Sequence, residues 1–379
     1  MNEKRTIEVL RLIRGKNIGC TTFWRLFKIY GSVFEAVKRY DEYNQRKNLK
    51  NPIFLAAEED IEREIVACEK IGAKFVTYFD DDYPKLLKYI SSPPPLLTCI
   101  GNTELFSYNT IAVVGARNAS AHGINFAKKI SKDLGKEGYV IVSGFARGID
   151  TSAHSGSLDT GTIAVLAGGI DNIYPIENEG LYNEISKKGL IVSELPFGMA
   201  PRTEHFPARN RIISGLSKGV LIVEASLRSG TIHTANQAIE QNREIFVSPG
   251  APYDPRCEGS NKLLKDGAIL VSNYKDIIEE LKDFKIKDKN IEDLLLSEEA
   301  HDFNEKEDLS LYNFDEADES KHNTDDYKEQ ILSLLNTIPI DIESLNKNLN
   351  LEVNKLNSIL MELELEDKII FEFGKVSLK

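Results

Sequence analysis

Arginines and glycines recur together in the middle of this 379-residue sequence, and an aromatic residue stands beside two of the arginines. The arginines are Arg117, Arg147, Arg209 and Arg211, and the aromatic residue is Phe206. A guanidinium pairs with phosphate oxygens, and an aromatic ring can stack on a base. Several such groups around one site suit a strand of nucleic acid, which carries a charge at each nucleotide.

Small residues also stand where helices are expected to follow strands. The free N–H groups and the positive dipole end of a helix N-terminus suit a phosphate. The predicted phosphate-binding turns contain Gly115, Gly168, Gly169, Ser229, Gly230 and Thr231. We expect them to line one edge of a sheet with the arginines.

The segment HFPARNRIISGLS leaves one choice open. Phe206 either stacks a base or packs in the core. One of Arg209 and Arg211 is expected to form an internal salt bridge with Glu194 or Glu224, because a buried arginine needs a carboxylate partner. The sequence does not say which of the two it is.

Catalytic chemistry finds little support in the same segments. Ser143, Asp150 and His154 could form a nucleophile set, but no GxSxG elbow is present. Asp150 is instead expected to cap a helix, and a metal site with His154 lacks a third ligand nearby. The GxGxxG fingerprint is absent because position 117 is arginine, so we expect no dinucleotide cofactor.

Short apolar runs alternate with helical stretches from residue 101 to 283, which predicts an α/β domain. Near-continuous apolar strands are typical of a parallel sheet covered on both faces. The fold class is therefore an extended Rossmann-like, doubly wound, mostly parallel sheet. The predicted strands are Ile111–Val114, Val140–Val142, Ile163–Ala167, Leu190–Ser193, Val220–Glu224, Ile245–Ser248 and Ile269–Val271.

The flanking segments differ in texture. Residues 1–100 are predicted to be helical, either a SAM or helix-hairpin-helix unit or a plain bundle, with an extended connection at Pro93–Pro95. Residues 284–326 are polar and acidic and are predicted to be a flexible linker. Residues 327–379 are predicted to form three helices followed by a hairpin that turns at Gly374, which is the arrangement of a winged helix. The third helix offers only Lys355, which favours a structural or protein-binding role over DNA reading.

Composition sets the remaining expectations. The net charge is −12, so a DNA site must be a local positive field. Four scattered cysteines fit a reducing compartment. The sequence shows no signal-peptide h-region and no apolar run near the length of a membrane span, so we expect a cytoplasmic protein without membrane contact.

The ordered motifs of residues 75–281 resemble the DNA-processing protein A (DprA/Smf) family. They are VVGARNAS, VSGFARGIDTSAH, AVLAGGIDNIYPIEN, SELPFGMAP, FPARNRIISGLS, VEASLRSGT and VSPG. The resemblance implies a homodimer without enzyme activity that binds single-stranded DNA and loads RecA onto it, in natural transformation (competence) and recombination. It places dimer and RecA contacts in the segment GSNKLLKDGAILV. It implies a DNA pocket of Arg117, Ser143, Gly144, Arg147, Phe206, Arg209, Asn210 and Arg211.

Two rival functions remain. One is a nucleotide-binding or nucleoside-monophosphate-processing Rossmann enzyme. Such enzymes carry PGGxGTxxE, whereas this chain reads LRSGTIHTA and lacks the glutamate. The other is a scaffold whose pocket binds a small nucleotide signal.

Overall fold

A computed structural model of the chain describes residues 2–47, 51–227, 229–284 and part of the C-terminal region. The described C-terminal residues are 327–336, 339–349, 351, 356, 359–360, 363, 368–372 and 375–378. The chain divides into two compact units, residues 1–312 and 313–379. No helix in these described ranges is long and apolar enough to cross a membrane.

The first unit contains a nine-stranded sheet with helices around it. Its strands are β1 Lys74–Thr77, β2 Leu96–Gly101, β3 Asn109–Gly115, β4 Tyr139–Ser143, β5 Thr162–Val165, β6 Leu190–Ser193, β7 Gly219–Val223, β8 Glu244–Val247 and β9 Ile269–Leu270. Its helices are α1 Asn2–Ile13, α2 Cys20–Tyr30, α3 Val33–Lys47, α4 Glu58–Lys70, α5 Lys85–Lys88, α6 Ala121–Lys136, α7 Ile149–Ser157, α8 Glu179–Lys188, α9 His205–Gly215, α10 Gly230–Glu240, α11 Glu258–Lys265 and α12 Tyr274–Leu281.

The sheet has the order β1-β2-β6-β5-β4-β3-β7-β8-β9. Strands β3 to β9 pair in parallel, which confirms the doubly wound fold and its seven predicted strands. The chain winds from β3 through β4 and β5 to β6, then returns to β7 on the other side of β3. Ligands of such sheets bind at the carboxyl ends of strands near this reversal.

Two strands lie in the segment predicted to be helical up to residue 100. β1 and β2 pair antiparallel with each other, and β2 pairs antiparallel with β6, so both extend the sheet. The helical prediction is therefore wrong for these strands. β1 is an edge strand only partly buried, and its sequence KFVT is too short to show alternation. The three prolines lead directly into β2, where the expected extended conformation continues.

The N-terminal helices belong to the same unit and pack against its sheet. Trp24 on α2 is buried, and its Nε1 donates to the carbonyl oxygen of Pro93 at 2.8 Å. A backbone hydrogen bond joins the turn between α1 and α2 to the segment before α4. In it, the Phe54 N–H donates to the Lys16 carbonyl oxygen at 3.1 Å. The helical prediction for this part of the chain is confirmed.

The second unit has a three-stranded antiparallel sheet in the order β10-β12-β11. Its described elements are β10 Ile340–Asp341, α13 Ile342–Leu349, β11 Ile369–Glu372 and β12 Lys375–Leu378. Leu345, Leu356 and Val376 are fully buried in its core. The predicted turn residue Gly374, the helix residue Lys355 and the linker from residue 285 to 326 lie outside the described residues.

Candidate nucleic-acid interface

A pocket opens at the carboxyl ends of β3, β4 and β5, on one side of the reversal of strand order. It is an open cleft of about 440 Å³, a volume that includes the solvent space at its mouth. Its walls come from the turns after these strands and from the start of α9. The lining residues are Arg117, Gly144, Ala146, Arg147, Leu166, Ala167, Gly168, Asn172, Tyr174, Pro175, Pro201, Phe206 and Arg209. Three arginines predicted from the sequence therefore meet in one place.

Phe206 holds two of these arginines and leaves little of its ring to solvent. The guanidinium carbon of Arg117 lies 5.4 Å from the ring centroid, and that of Arg209 lies 5.9 Å away. Tyr174 meets the same ring edge-on at 5.8 Å. Since Phe206 is only 7% exposed, it serves mainly to orient the guanidiniums, and base stacking by this ring has little free surface.

Arg209 lies at the bottom of the pocket, where it joins the ends of two strands. Its Nη1 donates to the Val165 carbonyl oxygen at 2.6 Å and also to that of Gly144. Its Nε donates to Oδ1 of Asn210 at 3.1 Å. Burial lowers the pKa of Arg209 to about 10, so the guanidinium stays charged near neutral pH. The pocket thus has a fixed positive charge in a poorly hydrated place.

Asp150 balances part of this charge from beneath the turn after β4. Its Oδ2 accepts hydrogen bonds from the N–H of Gly144 at 3.1 Å and of Ala146 at 3.3 Å. It does not cap α7, as the sequence had suggested, because Gly148 is the residue before that helix. A Cβ on Gly144 would lie 2.8 Å from Asp150 Oδ2 and 2.9 Å from the Arg209 guanidinium. Only glycine therefore fits between the two charges.

We expect the stability of the protein to depend on the ionisation of Asp150. Burial raises the pKa of this carboxyl from 3.8 to about 6, against the opposing effect of Arg209. Because the pKa of Asp150 is higher in the folded state, its contribution to the free energy of unfolding is complete below about pH 4. That contribution is lost as the pH rises through about 6. Relative to Asp150→Asn, the wild type should lose about 3 kcal/mol of unfolding free energy across this range. Parallel pH profiles of the two proteins in urea titrations would contradict this.

Ser143 and His154 make separate structural contacts. The Ser143 hydroxyl donates to the Val113 carbonyl oxygen at 2.7 Å. Thr162 donates to the Ile141 carbonyl oxygen, so its hydroxyl accepts from Nδ1 of His154 at 2.7 Å. Burial lowers the pKa of His154 to about 3, which keeps the ring neutral. Both side chains are fully buried in the core, and the structure forms no nucleophile pair from them.

Arg211 is the arginine that makes the internal salt bridge. Its Nη2 lies 2.5 and 2.6 Å from the two carboxylate oxygens of Glu194, and Nη1 donates to the Ser92 carbonyl oxygen at 2.8 Å. It does not line the pocket. Residues 209 and 211 lie two positions apart on α9, so their side chains leave opposite sides of the helix. Asn210 is also buried and donates to the Gly230 carbonyl oxygen at 3.4 Å.

The predicted phosphate-binding turns are dispersed along the sheet edge, and only Gly168 lines the pocket. The Gly169 N–H donates to the Met199 carbonyl oxygen at 2.7 Å. At Gly115 a Cβ would lie 1.9 Å from the Val223 carbonyl oxygen, so this glycine allows close strand packing. Ser229, Gly230 and Thr231 begin α10, where the Thr231 hydroxyl donates to the Gly115 carbonyl oxygen at 3.2 Å.

Glu224, the other candidate partner for an arginine, anchors the start of α6 instead. Its carboxylate accepts hydrogen bonds from the Ser120 hydroxyl and from the Ser120 N–H, the latter at 2.8 Å. It does not line the pocket. Among the residues that the structure describes, no three His, Cys, Asp or Glu side chains group as metal ligands.

The sequence motifs did not single out one wall of the pocket. Asn172, Tyr174 and Pro175 come from the long connection after β5, and Pro201 from the connection after β6. The only available signal was the position of the motif AGGIDNIYP directly after a strand that ends at this edge. Which of its side chains turns inward depends on the path of the loop.

A doubly wound sheet with an arginine-lined pocket at its strand ends defines a Rossmann-like protein suited to an anionic ligand. The chain belongs to the family of DNA recombination-mediator protein A, whose sequence model matches residues 74–282. The models of the DprA-like N-terminal HHH domain and the DprA winged helix domain match residues 3–67 and 315–370. Membership makes this a protein of DNA processing and recombination.

Named relatives agree with this assignment. The chain is 41% identical to DNA processing protein DprA of Bacillus subtilis over 222 residues, 58% of this chain and 75% of the relative. It is similar to the crystal structure of DprA from Streptococcus pneumoniae, with a TM-score of 0.56 and 34% identity over 66% of this chain and 93% of the other. It is also similar to the structure of DNA processing protein A from Helicobacter pylori, which binds single-stranded DNA. The TM-score is 0.52 and the identity 32%, over 56% of this chain and 98% of the other.

Proposed function

We propose that the chain is a recombination mediator that binds single-stranded DNA in this pocket, protects incoming strands and loads RecA onto them without turning its ligand over. The meeting of Arg117, Arg147 and Arg209 at the carboxyl ends of adjacent strands carries the proposal. Three guanidiniums in one pocket suit consecutive phosphates of a strand. The related H. pylori protein and its single-stranded DNA support the same choice of ligand.

The three arginines have different expected roles. Arg209 is buried and bonded to strand-end carbonyls, so it supplies a fixed positive charge beneath the ligand. Arg117 and Arg147 are half-buried at the opening and can reach phosphate oxygens directly. Fixed donors bind an anion well because little ordering is needed when it arrives.

A homodimer and a RecA contact belong to the same proposal. The segment from residue 259 to 271 contains all of α11 except its first residue, and it contains β9, the edge strand of the sheet. Leu270 on this strand is 52% exposed. An edge strand with an exposed apolar side chain is a ready surface for another chain.

A small nucleotide is the second candidate ligand. The guanidiniums that line the pocket could pair with the phosphate of a single nucleotide as well as with those of a strand. A nucleotide would fill the pocket alone, whereas a strand would continue along the sheet edge. Ligand length therefore separates the two functions.

Binding of labelled oligonucleotides by the full chain tests the proposal. Affinity should rise with oligonucleotide length and fall steeply as salt is added, because each neutralised phosphate of a single strand contributes a slope of about −0.7 in log K against log salt. Double-stranded DNA, AMP and NAD serve as comparison ligands. Affinity for AMP that equals the affinity for long oligonucleotides, with a flat salt response, would establish the small-nucleotide site instead.

A further inference from the structure

We infer that Arg14, in the turn directly after the N-terminal helix α1, is a positioning residue for the pocket. This inference rests on the proposed function, since it concerns how firmly the pocket holds single-stranded DNA. Arg14 lies in a buried group of side chains that joins the N-terminal helices to the pocket walls. We call this group the Glu194 cluster, and its members are Arg14, Cys20, Glu64, Glu194 and Arg211.

Arg14 connects two carboxylate residues in this cluster. Its Nε lies 3.2 Å from both carboxylate oxygens of Glu64, and its Nη1 donates to the backbone oxygen of Glu194 at 3.0 Å. The Arg14 side chain is only 4% exposed and that of Glu64 is 11% exposed. An ion pair shielded from water in this way holds its geometry well.

One connection runs from the Glu194 cluster to α9, the helix that carries Arg209. The Glu194 carboxylate pairs with Arg211 on α9, and Cys20 Sγ donates to the same carboxylate at 2.9 Å. Phe206 and Arg209 lie on this helix and line the pocket. The Glu194 pair therefore fixes α9 from the side opposite the ligand.

A second connection leads to another wall of the same pocket. Glu64 Oε1 accepts the N–H of Phe197 at 3.3 Å. Phe197 stands in the connection after β6 that reaches Pro201, a lining residue. Arg14 thus holds the first part of the segment between β6 and α9, directly at Glu194 and through Glu64 at Phe197.

Loss of Arg14 should loosen these two walls while leaving every pocket donor in place. Donors that must be ordered on binding cost affinity, and removing a remote contact of this kind changes binding by about two- to tenfold. The salt dependence should not change, because Arg14 is buried away from the pocket and cannot reach a phosphate. Hydrogen exchange should quicken in α9 but not in α12, which lies outside the cluster.

The test compares Arg14→Met with Arg11→Met in the full chain. Arg11 lies three residues before Arg14, on α1, and pairs with Glu8 and with Glu58, whose side chain is 65% exposed. We expect weaker oligonucleotide binding and faster exchange in α9 only for Arg14→Met, with an unchanged salt slope. If Arg14→Met does not fold because Glu64 is left unpaired, Arg14→Met/Glu64→Met removes both charges and is measured in its place.

Equal affinity of the Arg14 and Arg11 variants would overturn the inference. So would faster exchange in α12 to the same extent as in α9, since that indicates general destabilisation, or a smaller salt slope, since that indicates a direct phosphate contact. A wild type that binds no oligonucleotide, or an Arg117→Ala variant that binds as well as wild type, would refute the proposed function itself. The two failures are therefore distinguishable.

Discussion

Arg117→Ala is expected to weaken single-stranded DNA binding by roughly ten- to a hundredfold, because a hydrogen bond to a charged group contributes about 1.5 to 3 kcal/mol. Arg117 lines the pocket and its guanidinium lies against Phe206, so it is oriented before the ligand arrives. Arg117→Lys should recover only part of the affinity, since lysine lacks the planar fork. Oligonucleotide binding measured over a range of salt should also show a slope smaller by about 0.7.

Lys128 and Lys129 provide the control for that experiment. Both are exposed on α6, the helix that follows Arg117, so they test whether any nearby positive charge matters. Changing both to alanine should have little effect on affinity. If the lysine variant loses binding and Arg117→Ala keeps it, the DNA runs across the helical face and the pocket assignment is wrong.

Arg211→Met should destabilise the protein by about 3 to 5 kcal/mol, the usual effect of removing one member of a buried ion pair. The change leaves the Glu194 carboxylate with 7% of its side chain exposed and without its guanidinium. Replacing both members, as Glu194→Met/Arg211→Met, should cost less than the single change because no uncompensated charge stays buried. Urea unfolding of the three proteins measures the difference.

The same variants separate a stabilising role from a DNA contact. Under conditions where Arg211→Met is folded, its salt slope for oligonucleotide binding should equal that of the wild type. A slope reduced as in Arg117→Ala would restore Arg211 to the DNA contacts predicted from the sequence. A single variant as stable as wild type would show that the Glu194 pair contributes little.

The sequence predicted the parallel sheet well because both of its faces are buried. Runs such as IAVV and VIV are continuous apolar stretches, and each ends in small residues at the edge where ligands bind. β1 was missed because a short edge strand carries weak patterning. β2 was missed because its place inside the sheet depends on pairing with β6, which is distant in sequence.

The pocket was predictable in part for the same reason. Arg117 and Arg147 stand two and four residues after the ends of β3 and β4, so the chain itself carries them to the edge. Glycine turns were less informative, because glycine serves close packing as well as anion binding. Gly115 packs against β7, whereas Gly144 leaves room for two opposite charges. The residue type is the same, and only its neighbours decide the role.

By itself, the sequence determined which residues could bind an anion and that strand ends would gather several of them. The tertiary structure decided how these residues divide. Arg209 faces the pocket and Arg211 faces Glu194, although they are two positions apart in one motif. Helical geometry places their side chains on different sides, and the partner on each side comes from strands and helices far away in the chain. Local sequence records neither that orientation nor the burial that gives each charge its effect.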